Sequence, residues 1–267
     1  MEFTIGLIFF WLGAILGSFS GAVAWRLRKK KDFVRGRSEC EHCHHILAPL
    51  DLVPIFSWIF LRGRCRYCKK AIGWSVLLAE LLLGLAFSLS YFAWPFGLEG
   101  WLSGILFGIW LAVLAMLAIL AIYDLRWTLL PDKLVFPLIA LAVLFFIGRM
   151  VLSSVAPIDW PLEALYALMP ITGIYGILYL ASRGKWIGFG DVKLGIALGL
   201  LLGWQQALLA LVLANFIGFL FVLPGLLSRK LDRSSQIPFG PFLIAGTILA
   251  FLYGRVIIDA YINFLFS

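Results

Sequence analysis

Gly188-Phe189-Gly190-Asp191-Val192-Lys193-Leu194 is the stretch whose reading decides how this chain folds. It sets an ionisable carboxylate, Asp191, at the threshold of an apolar run that continues to about Gly203. A second carboxylate closes another long apolar run, in Ala121-Ile122-Tyr123-Asp124-Leu125-Arg126. An acid at a membrane boundary is expensive to desolvate, so such residues are functional candidates by default.

The rest of the chain fits that boundary. Of 267 residues, 63% are hydrophobic and only 13% charged, with a mean hydropathy of +1.00. Soluble domains are about half apolar and a quarter charged, so the composition specifies an integral, all-α polytopic membrane protein. Apolar windows predict eight transmembrane helices, over 4–25, 73–94, 101–123, 134–152, 162–182, 191–203, 206–227 and 239–264. Together they make a single membrane domain over 1–267, with one sizeable loop, 26–72, between the first two helices. The sixth window is short for a full crossing. The first is read as an uncleaved helix, because its basic cluster follows the apolar run instead of preceding it.

Net charge is +8, but its placement matters more than its sum. Twelve of the 22 Lys and Arg lie between Arg26 and Lys70, and only Arg149 and Arg255 depart from a single orientation. Basic residues beside spans are topology signals, so membrane lipid, not nucleic acid, is the expected surrounding. The asymmetry predicts that the 26–72 loop, Asp124 and Asp191 share the cytoplasmic face, with both termini on the outer side.

All four cysteines fall in that loop, as Cys40-Glu41-His42-Cys43 and Cys65-Arg66-Tyr67-Cys68. Two such knuckles can supply four thiolates in a tetrahedron, which predicts a structural Zn2+ held by Cys40, Cys43, Cys65 and Cys68. The rival reading, a pair of disulfides, conflicts with a cytoplasmic placement, where thiols are kept reduced. His42, His44 and His45 read as solvated loop residues. Four thiolates leave no open coordination position, and the metal would hold a small coreless loop folded.

For the acids, each bland reading has its own logic. Asp191 can be the N-cap of a helix beginning at Val192. Asp124 can pair with Arg126 or Lys133. Together, however, two carboxylates a few ångströms apart cannot both ionise; they share one proton. The ionised member then takes a proton from water while the protonated member polarises a carbonyl, as in aspartic proteases. Gly188 and Gly190 allow close approach of an extended substrate backbone. Asp132, just after Pro131 and favoured by the helix dipole, is expected to be structural or positioning. Glu80 lies inside the second span, neutral, bonded to a neighbouring helix, or part of a ligand site. A proton- or cation-coupled transporter is the alternative of another class, and it would need polar residues near mid-span on several helices.

The ordered motifs resemble those of type IV prepilin leader peptidases. They are Gly17-Ser18-Phe19, the paired Cys-x-x-Cys, Leu61-Arg62-Gly63-Arg64-Cys65, Asp124 with Pro131-Asp132-Lys133-Leu134, Gly188 to Leu194, and Ile237-Pro238-Phe239-Gly240-Pro241. The resemblance covers essentially the whole chain. It implies a bacterial inner-membrane enzyme of pilus assembly and type II secretion that cleaves a short basic leader on the cytoplasmic side, typically between Gly and Phe. Asp124 and Asp191 match its catalytic pair. Gly188, Gly190, Lys193, Pro131 and Asp132 then position that pair. The resemblance also implies methylation of the new N-terminus with S-adenosylmethionine, with Glu80 in a methyl-transfer or structural role, and prepilin or pseudopilin partners. Preflagellin and presenilin-like Gly-x-Gly-Asp proteases are the nearest alternatives. Departures from the family pattern at Gly21, Arg28, Glu41 and Ser75-Val76 lie in the N-terminal half.

Overall fold

The computed structural model describes residues 1–32, 36–228 and 237–266; Arg35, Arg229, Lys230 and Arg233, counted in the charge asymmetry, lie outside the described residues. The helices are α1 (Glu2–Arg28), α2 (Phe56–Phe60), α3 (Trp74–Phe92), α4 (Trp101–Trp127), α5 (Asp132–Leu152), α6 (Trp160–Leu168), α7 (Ile174–Ser182), α8 (Phe189–Leu202), α9 (Trp204–Leu227) and α10 (Gly240–Phe266). Among the described residues, seven segments are long and apolar enough to cross a membrane: α1, α3, α4, α5, the composite Pro157–Ser182 that contains α6 and α7, α9 and α10. The expected all-α polytopic fold is therefore observed, with α8 as a short eighth segment. β pairing among the described residues is confined to two isolated bridges in the cysteine loop.

Helical packing divides the chain into two compact units, residues 1–92 with 114–123 and residues 93–113 with 124–267. In the first unit, α1 and α3 pack with their backbones almost touching. A side chain added at Gly13 or Gly17 would place its Cβ 2.5 or 2.6 Å from the carbonyl oxygens of Leu83 and Ala79. Small residues four apart are what let apolar helices gain van der Waals contact in lipid, where no hydrophobic force drives them together.

The second unit is built around α8. At 14 residues it measures only about 21 Å by the helical rise, short of a hydrocarbon core of roughly 30 Å. It is buried nearly all round, from Val192 through Leu202, because α5, α6, α7, α9 and α10 pack against it. A helix that is apolar on every face belongs inside a protein.

Between α6 and α7, Met169–Gly173 forms a π turn. Pro170 lacks the donor that a regular α-helix would use there. The turn lies directly on α8, where a Cβ at Gly195 would meet Ile171 Cγ2 at 2.9 Å.

At the far end of α8, Arg149 Nη1 donates to the Leu201 carbonyl at 3.3 Å. The cation satisfies an orphaned helix end and complements its partial negative charge. That is a physical reason for one of the two basic residues that broke the charge asymmetry.

Because Gly17 meets backbone and not a flexible side chain, Gly17→Val should overpack the α1–α3 contact. The expected loss is about 1–3 kcal/mol, measurable by unfolding of purified protein in detergent. A variant as stable as the parent would show that the helices separate freely there.

Candidate active site and metal centre

Asp124 lies in the last turn of α4, which runs on to Trp127, beyond the predicted end at residue 123. The helix stops at Thr128, whose left-handed backbone (φ 50°) breaks the spiral and whose N–H returns to the Asp124 carbonyl at 2.7 Å. The Asp124 carboxyl is buried, 6% exposed. Its Oδ2 accepts the Gly240 N–H, at the start of α10, at 3.0 Å. Any side chain at position 240 would bring a Cβ to 2.6 Å from that oxygen, so only glycine allows the contact.

Asp191 is not the N-cap of its helix. That place belongs to Gly188, with extended backbone, and Asp191 is the third residue of α8. From there its carboxylate lies close to the Gly188 backbone, where an added Cβ would stand 3.4 Å from Oδ2, at the helix end whose dipole favours an anion. Asp191 is half-buried and within electrostatic range of Asp124. The two acids, 67 positions apart in sequence (191 against 124), thus converge within one unit.

The neighbouring residues fall into distinct roles. Lys193 pairs with Asp132 at the head of α5, which fixes the first turn of α8 to the α4–α5 connection. Its ammonium also lies over the rings of Phe136 and Phe189, at 5.6 and 5.3 Å. Pro131, with extended backbone, is the N-cap of α5. Gly188 is exposed, whereas Gly190 faces the chain's own Leu130, whose Cβ would lie 3.0 Å from an added side chain.

Two residues were not singled out from sequence. Gly240 was visible only as part of a Pro-Phe-Gly-Pro turn. Tyr175, on α7, carried no sequence signal at all, being one aromatic among many in an apolar run.

Glu80 is buried in α3 and accepts the Ile55 N–H at 2.6 Å, with the Ser18 hydroxyl as a second partner. Ile55 has φ 63° and ψ −56°, and the Phe56 N–H reaches back to the Pro54 carbonyl at 2.5 Å. This is a strained γ-turn, rare without a group such as Glu80 to hold it.

The cysteine loop consists of two matching knuckles. In the first, the Cys40 N–H donates to the His45 carbonyl and the His44 N–H to the Cys40 carbonyl, both at 3.0 Å. In the second, the Cys65 N–H donates to the Lys70 carbonyl at 2.9 Å and the Lys69 N–H to the Cys65 carbonyl at 3.0 Å. A left-handed residue closes each, His44 (φ 55°) and Lys69 (φ 59°), and one bridge flanks each, Glu39 with Ile46 and Arg64 with Ala71.

No disulfide joins the cysteines. Their four sulfurs lie within 4.8 Å of one another, Cys40 and Cys68 at 3.9 Å. Metal–thiolate bonds of about 2.3 Å in a tetrahedron set sulfurs roughly 3.8 Å apart, so the set can hold one metal ion. Burial opposes ionisation of Cys40, but the N–H groups of Cys43 and His42 outweigh it and bring the thiol down to about 7.

His42, His44 and His45 are exposed, and His45 lies against the Tyr67 ring at 3.6 Å, linking the knuckles. Arg66 Nε donates to Asp51 Oδ1 at 2.7 Å, and the Ala48 N–H donates to Oδ2 at 3.2 Å. Burial raises the Asp51 carboxyl, yet Arg66 and the Ala48 N–H hold it below its ordinary value. This tie is therefore complete at neutral pH and is lost only as pH falls through that lowered value.

Two family models match the chain: the bacterial peptidase A24 N-terminal domain over residues 11–94 and the type IV leader peptidase family over residues 111–223. Among the similar proteins is a prepilin leader peptidase/N-methyltransferase of Bacillus subtilis (strain 168), 30% identical over 96% of this chain and 97% of its own length. Another bearing that name, from Aeromonas hydrophila, is 35% identical over 86% of this chain and 76% of its own. A third, from Pseudomonas aeruginosa, is 29% identical over 95% and 92%. No solved structure matches significantly. With relatives aligned along almost its full length and both models in register, the chain belongs to the type IV leader peptidase family.

Proposed function

We propose that the chain is a membrane aspartic endopeptidase that removes the short basic leader of type IV prepilins and pseudopilins, typically at a Gly-Phe bond, and then methylates the exposed N-terminus. The observation that supports the peptidase is the convergence of Asp124 and Asp191 within electrostatic range, Asp124 held by the Gly240 N–H and Asp191 set in the first turn of α8. The basic-residue asymmetry supports an orientation with the two acids at the cytoplasmic face and both termini outside, and the bacterial relatives support an inner-membrane setting.

Two carboxylates brought within a few ångströms of each other hold one proton between them. The ionised member removes a proton from a water as its oxygen attacks the scissile carbonyl carbon. The protonated member gives its proton to the carbonyl oxygen, forming a neutral diol. Collapse of the diol returns a proton to the amide nitrogen, the C–N bond breaks, and the pair regains its single proton. No metal is used in these steps.

The four-thiolate set fits Zn2+, a closed structural ion that would fold the loop. S-adenosylmethionine, when bound, would supply the methyl group. In the first unit, an open groove of about 490 Å³ is lined by Trp11, Ile15, Pro49, Leu52, Val53, Pro54 and Phe56. That lining offers no partner for the donor's carboxylate or ammonium, so it does not fit this cofactor. Methylation rests on the relatives' names, and no step is derived through it.

Incubating the purified enzyme with a prepilin and reading mass by spectrometry tests the peptidase. Asp124→Asn and Asp191→Asn should each abolish leader loss while the protein still inserts and folds, and normal processing by either would overturn the shared-proton mechanism. The parent should show a bell-shaped pH profile, losing activity when both acids are protonated and again when both are ionised.

Gly240→Ala should lower kcat about 100-fold by displacing Asp124, since ångström-scale misplacement costs that much. Wild-type turnover would mean that this backbone contact is dispensable. Metal analysis should find on the order of one zinc per chain, lost from the Cys40→Ser/Cys43→Ser double variant. Metal-free native protein would leave the thiols without that role.

A further inference from the structure

Four buried side-chain polar atoms lack a hydrogen-bond partner among the described residues: Trp58 Nε1, Arg149 Nε, Thr172 Oγ1 and Tyr175 Oη. Arg149 already serves the end of α8 through another nitrogen. Thr172 faces Gly195, a full helical turn beyond Asp191. Trp58 packs in the cysteine loop against Trp74, ring centroids 4.4 Å apart.

Tyr175 differs from these. Only 4% of it is exposed, its hydroxyl is within electrostatic range of Asp191, and its ring meets Phe239 edge-on at 5.9 Å. Phe239 immediately precedes Gly240, whose N–H holds Asp124. The tyrosine therefore lies within electrostatic range of Asp191 and packs its ring on the residue that precedes Asp124's backbone donor, from the helix that follows the π turn.

A buried hydroxyl without a partner is costly, and native proteins keep few of them. One that borders a reactive pair is a donor held in reserve for an atom that arrives with the substrate. A phenol titrates near pH ~10, so beside a carboxylate it remains an O–H donor throughout the range in which the pair works. Neither Asp124 nor Asp191 takes its hydrogen bond: the hydroxyl has no partner, and the Asp124 carboxylate accepts the Gly240 N–H instead. The remaining acceptor in such a site is the oxygen of the peptide being cut. Negative charge builds there as water attacks, before the protonated aspartate completes its transfer.

We propose that Tyr175 donates a hydrogen bond from Oη to the scissile carbonyl oxygen and stabilises the charge that develops on it. The role rests on the carboxylate-pair reading. No proton is transferred by the phenol and no bond to it forms or breaks; its O–H points at the oxygen through attack and is released with product. The ring stands on α7, which follows the π turn at Met169–Gly173 and packs against α8.

Tyr175→Phe tests this, because it keeps the ring against Phe239 and removes only the donor. With a prepilin as substrate, kcat should fall about 100-fold while KM stays within about twofold, as for loss of one oxyanion donor. The melting midpoint in detergent should equal or exceed the parent's, since an unsatisfied hydroxyl has been deleted.

Turnover within about threefold of the parent, or a change confined to KM, would overturn the role. So would a kcat loss matched by an equal loss of folded protein. Asp191→Asn run in parallel separates the two claims. If it is inactive and Tyr175→Phe turns over normally, only the donor role falls; if Asp191→Asn cleaves normally, the carboxylate pair falls and the donor role with it.

Discussion

In hydrocarbon, every backbone amide and every carboxylate must find a partner within the protein, and α8 is where this requirement bears hardest. The helix is too short to reach both surfaces, so each end would be stranded if lipid surrounded it. Enclosure by the neighbouring helices removes the lipid, Arg149 satisfies the distal carbonyls, and Gly188 opens the proximal end. An ionisable side chain can then stand at the proximal end without facing lipid tails. The length of α8, the π turn laid against it and the placement of Asp191 all follow from one packing solution.

The electrostatics of the pair depend as much on what is kept away as on what is near. Lys193 lies two residues beyond Asp191, and residues two apart on a helix point to different faces. Its ammonium goes to Asp132 and to two aromatic rings. A lysine bonded to either acid of the pair would favour the charged form and oppose proton sharing. The Gly240 N–H instead holds Asp124, and the N-terminal end of α8 stands at Asp191, supplying direction without a full positive charge. Asp132 is thus part of the site's design through the cation it occupies.

The cysteine loop solves a different problem. It has no apolar core of its own, and its two knuckles repeat one set of hydrogen bonds around Cys40 and around Cys65. Ties between them come from the thiols, the His45–Tyr67 ring contact and the Asp51–Arg66 pair. Glu80 extends this order into the membrane segment by holding the strained Ile55 turn. A buried acid that sequence left open between structure and chemistry has a definite mechanical task here.

Hydropathy fixed the helices and their approximate ends, because lipid solvation acts on each segment separately. The cysteine spacing fixed the knuckles, because each is closed by bonds within a few residues. The length of its apolar run likewise marked α8 as short for a full crossing. Local pattern also placed Asp124 and Asp191 at helix ends, but could not say what each would touch. The Gly240 N–H reaches Asp124 across 116 residues, and Tyr175 comes within electrostatic range of Asp191 from a different helix, α7, which follows the π turn. Such contacts depend on helix packing and on the few ångströms that glycine permits between backbones. No window of sequence carries that information, and so the partners of the two acids were decided by the tertiary structure alone.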